Sequence, residues 1–167
     1  MTKQFWILMG TGLAVVAIGV SVLLLSTKGA HLELDGSILK VRVLALNPNA
    51  SLVIVDFRVK NPSDVSFVVK QATTQFVPFS GEPTDGTSIS KPDVENVFKY
   101  EKLIGPKFND VLSIRDKIAP HQTVDRMVGA RFEMGESALD LRKAIRVTIE
   151  DMDGTVAEIT EKSGANK

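Results

Sequence analysis

The feature that most limits the fold is a two-residue period of apolar side chains in the middle of the chain. It is clearest between residues 53 and 60, where every second residue is large and apolar: Val53, Val55, Phe57 and Val59. An earlier run repeats the period with Leu39, Val41, Val43 and Ala45. Because successive side chains of a strand point to opposite faces, each run predicts a strand with one buried face.

The sequence Asn61-Pro62-Ser63 predicts a corner after the second of these strands. Pro62 has no amide proton and moves the preceding residue toward an extended conformation, while Asn and Ser side chains can bond nearby backbone. A further strand then continues the apolar set through Val65, Phe67 and Val69.

Later segments show the same period. One predicted strand covers residues 112–118, with an apolar face of Leu112, Ile114 and Ile118. Another covers residues 123–132, with an apolar face of Val124, Val128, Ala130 and Phe132. These runs bring the predicted total to about seven strands.

The last two strands flank a turn that contains Asp153 and Gly154. A three-residue loop of residues 152–154 places Ile149 opposite Ala157, which keeps apolar residues on one face, whereas a two-residue turn would mix apolar and charged residues. The longer loop also places Val147 opposite Ile159 and needs Gly154 in the left-handed conformation. We therefore predict the three-residue hairpin.

Two segments interrupt the strand pattern. Residues 80–109 begin as a loop and predict a short helix that starts near Pro92 and stops at Gly105. The apolar stripe of this helix consists of Val94, Val97 and Phe98. It either caps an edge or open end of the sheets or docks a partner. The second segment predicts one or two helical turns, with Ser137 and Asp140 at capping-box spacing.

Together these elements predict an all-β fold. It is an immunoglobulin- or fibronectin-III-like antiparallel β-sandwich over residues 31–161, with the short helical insertion at 80–109. Residues 162–167 predict a flexible tail.

Residues 5–26 contain no charged residue and follow a short flank, residues 1–4. As a helix they reach about 33 Å, enough to cross a bilayer core of about 30 Å, so they predict one transmembrane anchor. A cleaved signal peptide is the alternative, but its apolar part is usually about 7–15 residues long. The flanking charges give no clear orientation, and a signal anchor favours a cytoplasmic amino terminus with the domain outside the membrane.

Small side chains recur along one face of that predicted span. They are Gly10, Ala14, Ala17 and Ser21. Such a face lets another transmembrane helix approach closely, although small residues are also common in spans that pack against nothing. We expect this face to be a candidate for helix–helix packing.

Composition argues against most catalytic and nucleic-acid functions. The chain has no cysteine and only two histidines, His31 and His121, which cannot form a histidine-rich metal centre within one chain. Without Lys3 it has 19 basic and 20 acidic residues, a net charge of −1, so no basic excess predicts nucleic-acid binding. Three nearby carboxylates, Glu150, Asp151 and Asp153, could bind calcium, but Asp153-Gly154 is also what the turn requires. We expect no catalytic site, metal or cofactor.

The stretch VDFRVKNPSDVSFVVKQ at 55–71, followed by IAPHQTVDRMVGARF at 118–132 and a closing hairpin, resembles the late embryogenesis abundant type 2 family. This family is also called the water stress and hypersensitive response domain. The resemblance covers about residues 31–161 and implies a small sandwich, often membrane-attached, without known catalytic residues and with roles in stress protection. Asn61 and Pro62 carry over, with an implied structural role. The insertion at 80–109 departs from the compact family pattern.

Two functions follow as hypotheses. The first is a membrane-tethered, non-catalytic binding or scaffolding module, such as a small subunit of a membrane complex. The alternative is a stress-protective envelope protein without a fixed partner. The sequence identifies neither a protein partner nor a small-molecule ligand.

Overall fold

The computed structural model describes residues 34–161, which are mostly β-sheet. The strands are β1 (Asp35–Asn47), β2 (Ala50–Lys60), β3 (Phe67–Val77), β4 (Thr84–Asp85), β5 (Thr87–Ser88), β6 (Asp110–Val111), β7 (Lys117–Ile118), β8 (Thr123–Phe132), β9 (Ala144–Asp151) and β10 (Val156–Thr160). The helices are α1 (Lys91–Tyr100), a 3-10 turn (Lys102–Ile104) and α2 (Glu136–Asp140). Six strands are long, and the four short ones have two residues each.

The strands form two five-stranded sheets. The first has the order β1-β2-β8-β5, with β6 also beside β8, and the second has the order β10-β9-β3-β4, with β7 also beside β3. The pairs are antiparallel except for β6 with β8, which run parallel. The long strands therefore divide into β1, β2 and β8 in one sheet and β3, β9 and β10 in the other.

One apolar core joins the two sheets. The predicted inner face of β2 is confirmed, because Val53, Val55, Phe57 and Val59 are all fully buried. They belong to one cluster with Ile145, Val147 and Ile149 of β9 in the second sheet. Two mainly antiparallel sheets around a shared core are the arrangement of a β-sandwich, as predicted.

The predicted inner face of β1 is wrong at Leu39. The register skips one position between Ile38 and Lys40, so Leu39 is the extra residue of a bulge and is 48% exposed. A bulge leaves one residue outside the ladder and shifts the facing of those beyond it. Val41 and Val43 still pack partly against the core, whereas Ala45 is exposed.

The single strand predicted over residues 112–118 is also wrong. β6 ends at Val111, β7 begins at Lys117, and Ile114 between them is 69% exposed. The chain turns there through Arg115, whose φ is 69°, and the Arg115 amide donates to the Val69 carbonyl at 2.7 Å. Val65 likewise lies in an exposed loop, since β3 begins only at Phe67.

The closing hairpin has the predicted register. Ile149 pairs with Ala157 and Val147 pairs with Ile159, and Gly154 has a φ of 87° in the left-handed region. The capping box predicted at Ser137 is wrong, because α2 begins after Gly135 without a side-chain cap.

Residues 34–161 contain no helix with the length and apolar character needed to cross a membrane. The predicted span at 5–26, its small-residue face (Gly10, Ala14, Ala17 and Ser21), His31 and the tail at 162–167 lie outside the described residues.

Candidate functional site

The insertion covers the outer face of the first sheet. Leu52 and Ile54 alternate with the core residues of β2 and therefore point away from the second sheet. With Met127 of β8 and Val111 of β6 they form a second buried cluster, which Val94 of α1 and Ile104 close from outside. β2 is consequently buried on both faces, and the insertion is fixed to the domain by its own apolar contacts.

Helix α1 begins as its sequence predicts but ends at Tyr100, before the predicted stop at Gly105. The Ser90 hydroxyl accepts a hydrogen bond from the Asp93 amide at 3.4 Å, Pro92 lies in the first turn and Lys99 in the last. Pro and an acidic residue suit a helix start, and a basic residue suits its end. Gly105, with a φ of 82°, follows the subsequent 3-10 turn.

A buried ion pair lies beneath this insertion. The guanidinium of Arg42 on β1 donates to the carboxylate of Asp56 on β2, and the two side chains are 5% and 3% exposed. Arg42 also donates to the Pro106 carbonyl at 2.9 Å, and the Asn109 side-chain amide donates to Asp56 at 2.8 Å. The pair thus bonds the sheet to both ends of the segment 106–109.

Two aromatic rings accompany the buried guanidinium. The central carbon of Arg42 lies 5.1 Å from the centre of the Phe98 ring and 5.4 Å from that of Phe108. Both distances permit cation–π attraction, which is stronger where water is excluded. The end of α1 and the segment after the 3-10 turn therefore meet at one buried charge.

Beyond that buried contact, the insertion exposes large apolar side chains. Tyr100, Leu103 and Phe108 are 68%, 92% and 64% exposed, and we call these three residues the insertion crest. Lys99 and Lys102 are exposed beside them in the sequence. A contiguous exposed apolar patch is typical of a surface that binds another molecule, whereas single exposed apolar residues are common.

The predicted docking stripe of α1 mostly covers the sheet instead. Val94 is fully buried, and Val97 and Phe98 pack against the second cluster while staying partly exposed. This placement favours capping of the sheet. Contact of Val97 or Phe98 with a partner stays a prediction.

The Asn61-Pro62-Ser63 corner is held by one buried side chain. The Asn61 amide donates to the Val65 carbonyl at 2.7 Å and to the Ile118 carbonyl at 3.0 Å, and its oxygen accepts from the Ser63 hydroxyl at 2.8 Å. Asn61 is 1% exposed. It therefore fastens the corner to β7, a structural role.

The acidic turn near the carboxyl end is also built from local bonds. Asp151 is 2% exposed and accepts from the Val68 amide at 2.6 Å, and Glu150 pairs with Lys70 at 2.5 Å. Within residues 34–161 no three His, Cys, Asp or Glu side chains converge to hold a metal ion. Asp153 and Gly154 form the loop that the hairpin requires.

Two of the polar pairs at the surface involve His121 and Arg58. His121 contacts Asp64 at 2.8 Å with both side chains largely exposed, and its φ of 57° places it in a tight turn. Arg58 of β2 donates twice to Asp125 of β8, at 2.7 and 2.8 Å. Those hydrogen bonds lower the pKa of the Asp125 carboxyl and raise that of Arg58.

A cavity of about 500 Å³, here called the edge cavity, opens between the two sheets. Its floor includes Val69 of β3 and Val128 of β8, which belong to the main core. Its walls come from residues 88–91 and 111–114. A cavity of this size is within the range of small-molecule sites, about 300–1,000 Å³.

No family model matches this chain, and no curated protein does. Three solved structures align with most of this chain. YcdA from Bacillus subtilis has a TM-score of 0.49 and 10% identity, over 81% of this chain and 38% of YcdA. An uncharacterised β-sandwich protein from Clostridium difficile has a TM-score of 0.38 and 10% identity, over 78% of this chain and 86% of that one. The archaellum periplasmic stator protein FlaG from Sulfolobus acidocaldarius has a TM-score of 0.36 and 12% identity, over 76% and 98%.

Sequence reasoning missed the buried pair and the crest. Asp56 is a charged residue inside the otherwise apolar run VIVDF, which indicates a buried partner of opposite charge. The burial of Asp56 could therefore have been predicted. Arg42 interrupts an apolar run in the same way. The crest gave a weaker signal, because Tyr100 and Leu103 lie off the apolar stripe of the predicted helix and Phe108 lies beyond its end.

Proposed function

We propose that this protein is a membrane-anchored, non-catalytic β-sandwich that binds a partner protein and acts as a scaffold or small accessory subunit of a membrane complex. The observation that carries the proposal is the insertion crest. Tyr100, Leu103 and Phe108 are exposed on a segment whose backbone is bonded to the buried Arg42. A fixed backbone lowers the entropy cost of binding through exposed aromatic and aliphatic side chains.

The charge around the crest indicates the chemistry of the partner. Residues 99–108 contain three lysines and one glutamate, and Lys107 is within 4 Å of Glu95 and Asp110. Lys99 and Lys102 remain as exposed cations beside Tyr100 and Leu103. The partner surface would therefore be apolar at its centre and acidic at its rim, since complementary charges at a rim guide association.

The predicted span at 5–26 supplies the membrane tether in this proposal. The amino terminus lies in the cytoplasm, and the sandwich lies on the extracytoplasmic side of the membrane. The face of Gly10, Ala14, Ala17 and Ser21 provides a second contact, with a transmembrane helix of the same partner. Two contacts on one chain strengthen each other, because the first raises the local concentration of the second.

The fold type in this proposal is immunoglobulin-like. β1, β2 and β8 share one sheet, and β3, β9 and β10 share the other. If these six strands are lettered A, B, C, E, F and G in chain order, they divide into A, B, E and C, F, G, which is the division found in immunoglobulin sandwiches. The likeness to late embryogenesis abundant type 2 domains is part of the same proposal and rests on the Asn61 corner. Stress protection is the alternative function.

The test is co-purification of the full chain after mild detergent extraction from its native membrane, followed by mass spectrometry. The variants Leu103→Ser and Tyr100→Ser remove apolar contacts of the crest, and we expect each to reduce recovery of the partner at least severalfold. Phe79→Ser is the matched control, because Phe79 is 76% exposed outside residues 100–108. Equal recovery with all three variants would remove the crest from the proposal.

The span is tested separately by Ala14→Leu and Ala17→Leu. These changes enlarge the small-residue face without adding charge, so membrane insertion should persist while co-purification weakens. A protein extracted alone in every variant and in the wild type would contradict the subunit role and favour stress protection.

A further inference from the structure

The edge cavity lies where the short edge strands of both sheets are interrupted, although backbone hydrogen bonds from Arg115 to Val69 and from Ile89 to Gly129 continue into these intervals. On the outer edge of β3, β7 pairs up to Val68 and β4 begins pairing at Gln75. On the outer edge of β8, β6 pairs up to Met127 and β5 pairs from Ala130. The interval between each pair of short strands opens toward the core.

The walls of the cavity combine apolar and polar residues. Ile89 packs close to Gly129, where an added Cβ would come within 2.7 Å of the Ile89 side chain. Leu112 and Ile114 line the opposite wall, and Ala72 of β3 lies beside the floor. Gly129 therefore allows Ile89 to pack closely against β8, and a larger residue at position 129 would change the shape of this cavity wall.

Polar residues of the same wall segments, together with Gln71 and Thr73 of β3, also line the cavity. Ser88, Ser90 and Ser113 contribute hydroxyl groups, and the Ser88 hydroxyl donates to the Ala72 carbonyl at 3.0 Å. Lys91 is the only charged residue among those that line the cavity. Asp93, two positions later, is bonded to the Ser90 hydroxyl at 2.6 Å and does not line it.

We propose that the edge cavity binds a single acyl chain with an anionic head group, with the chain over the floor of Val69 and Val128 and the head group at Lys91. The apolar floor favours a ligand with an apolar chain, because a polar group against Val69 and Val128 would lose hydrogen bonds to water without replacement. The lone cation selects a negative head group over a neutral or positive one. This site goes beyond the partner-binding role and does not depend on the insertion crest.

The test uses the full chain in lipid nanodiscs and a photoreactive analogue of a twelve-carbon fatty acid, with cross-links mapped by mass spectrometry. We expect cross-links within residues 69–73 and 111–114, displaced by unlabelled dodecanoate more strongly than by dodecanol or dodecyltrimethylammonium. A parallel sample carries the photoreactive acyl chain on a phospholipid. Labelling by the free acid alone identifies a free fatty acid as ligand, and labelling by both identifies an acyl chain of either source.

Two variants separate binding in the cavity from adsorption to the surface. Ala72→Phe places a ring at the floor and should abolish these cross-links. Lys91→Gln should weaken displacement by dodecanoate about threefold, as expected for one exposed charge contact, and leave displacement by dodecanol unchanged. Lys99→Gln, on the same helix but outside the lining, should have no effect.

Cross-links that persist in Ala72→Phe would overturn the proposal, as would displacement by dodecanoate that changes equally in Lys91→Gln and Lys99→Gln. So would the absence of cross-links at 69–73 and 111–114 in a sample whose residues 5–26 are labelled, because the analogue then reaches the protein without entering the cavity. The folded state of each variant is checked by its thermal unfolding transition, and Lys91→Gln retains the test if Ala72→Phe does not fold.

Discussion

Arg42 and Asp56 bind each other across β1 and β2 in a space that the insertion closes, with side chains 5% and 3% exposed. Neither charge is tolerable there alone, because an uncompensated buried ion loses its hydration without replacement. The pair is also bonded to Pro106 and Asn109, so the position of the insertion depends on it. The buried charge thus connects the stability of the sandwich with the presentation of the insertion crest.

Replacing Asp56 by Asn should destabilise the domain by about 3–5 kcal/mol, because it leaves the Arg42 guanidinium buried without its counter-ion. The double variant Arg42→Met, Asp56→Leu should lose less than Asp56→Asn, since it buries no charge. Urea unfolding of residues 32–167 measures both, as the core lies within this compact unit. The exposed pair Arg58–Asp125 is the control, and Asp125→Asn should change stability only slightly. Equal losses for Asp56→Asn and Asp125→Asn would contradict the prediction.

Replacing Asn61 by Ala should cost about 1–3 kcal/mol, because the Val65 and Ile118 carbonyls lose a buried donor. Ser63→Ala is the matched control, since the Ser63 hydroxyl is bonded at the more exposed side of the same corner. It should cost clearly less in the same urea experiment. A larger loss for Ser63→Ala would show that the corner is held by the hydroxyl.

Replacing Gly154 by Ala should cost about 1 kcal/mol through backbone strain alone, because its φ is 87° and no atom lies within 4 Å of an added Cβ. Gly154→Asn should cost less, since Asn tolerates the left-handed conformation better than Ala. The midpoint of thermal unfolding ranks the two variants. An Ala variant as stable as the wild type would argue against the three-residue loop in solution.

The Arg58–Asp125 pair predicts a small pH dependence. The hydrogen bonds from Arg58 lower the pKa of the Asp125 carboxyl below its ordinary 3.8 in the folded state. A lowered folded pKa adds stability that is complete above the ordinary value and is lost as the pH falls through the folded value. The stability difference between wild type and Asp125→Asn should therefore be largest near neutral pH and shrink in acid. High salt should reduce the neutral-pH difference, and a difference that grew in acid would contradict this sign.

The sequence predicted those parts of the fold that depend on local pattern. The inner face of β2 followed from the two-residue period, and the register of Ile149 with Ala157 followed from keeping apolar residues together around the loop. Leu39 was misplaced because a bulge depends on how β1 pairs with β2, which the period within β1 alone does not contain. Ile114 was misplaced because the turn at Arg115 is set by bonds to β3.

The candidate site was less predictable because it is assembled from distant segments. The burial of Asp56 depends on Asn109, and the floor of the edge cavity joins Val69 to Val128. The stripe of Val94, Val97 and Phe98 was identified correctly as apolar. Its contact surface depends on the path of the insertion, which no local pattern encodes.

In the proposed function, the insertion crest contacts a partner protein at the membrane. The most direct measurement places the photoreactive amino acid p-benzoylphenylalanine at Leu103 or, as the control, at Phe79 of the full chain in its native membrane. We predict one cross-linked product from position 103, absent from position 79 and identified by mass spectrometry as the same protein that co-purifies with the wild type. No product from position 103, or the same products from both positions, would contradict a specific partner at the crest.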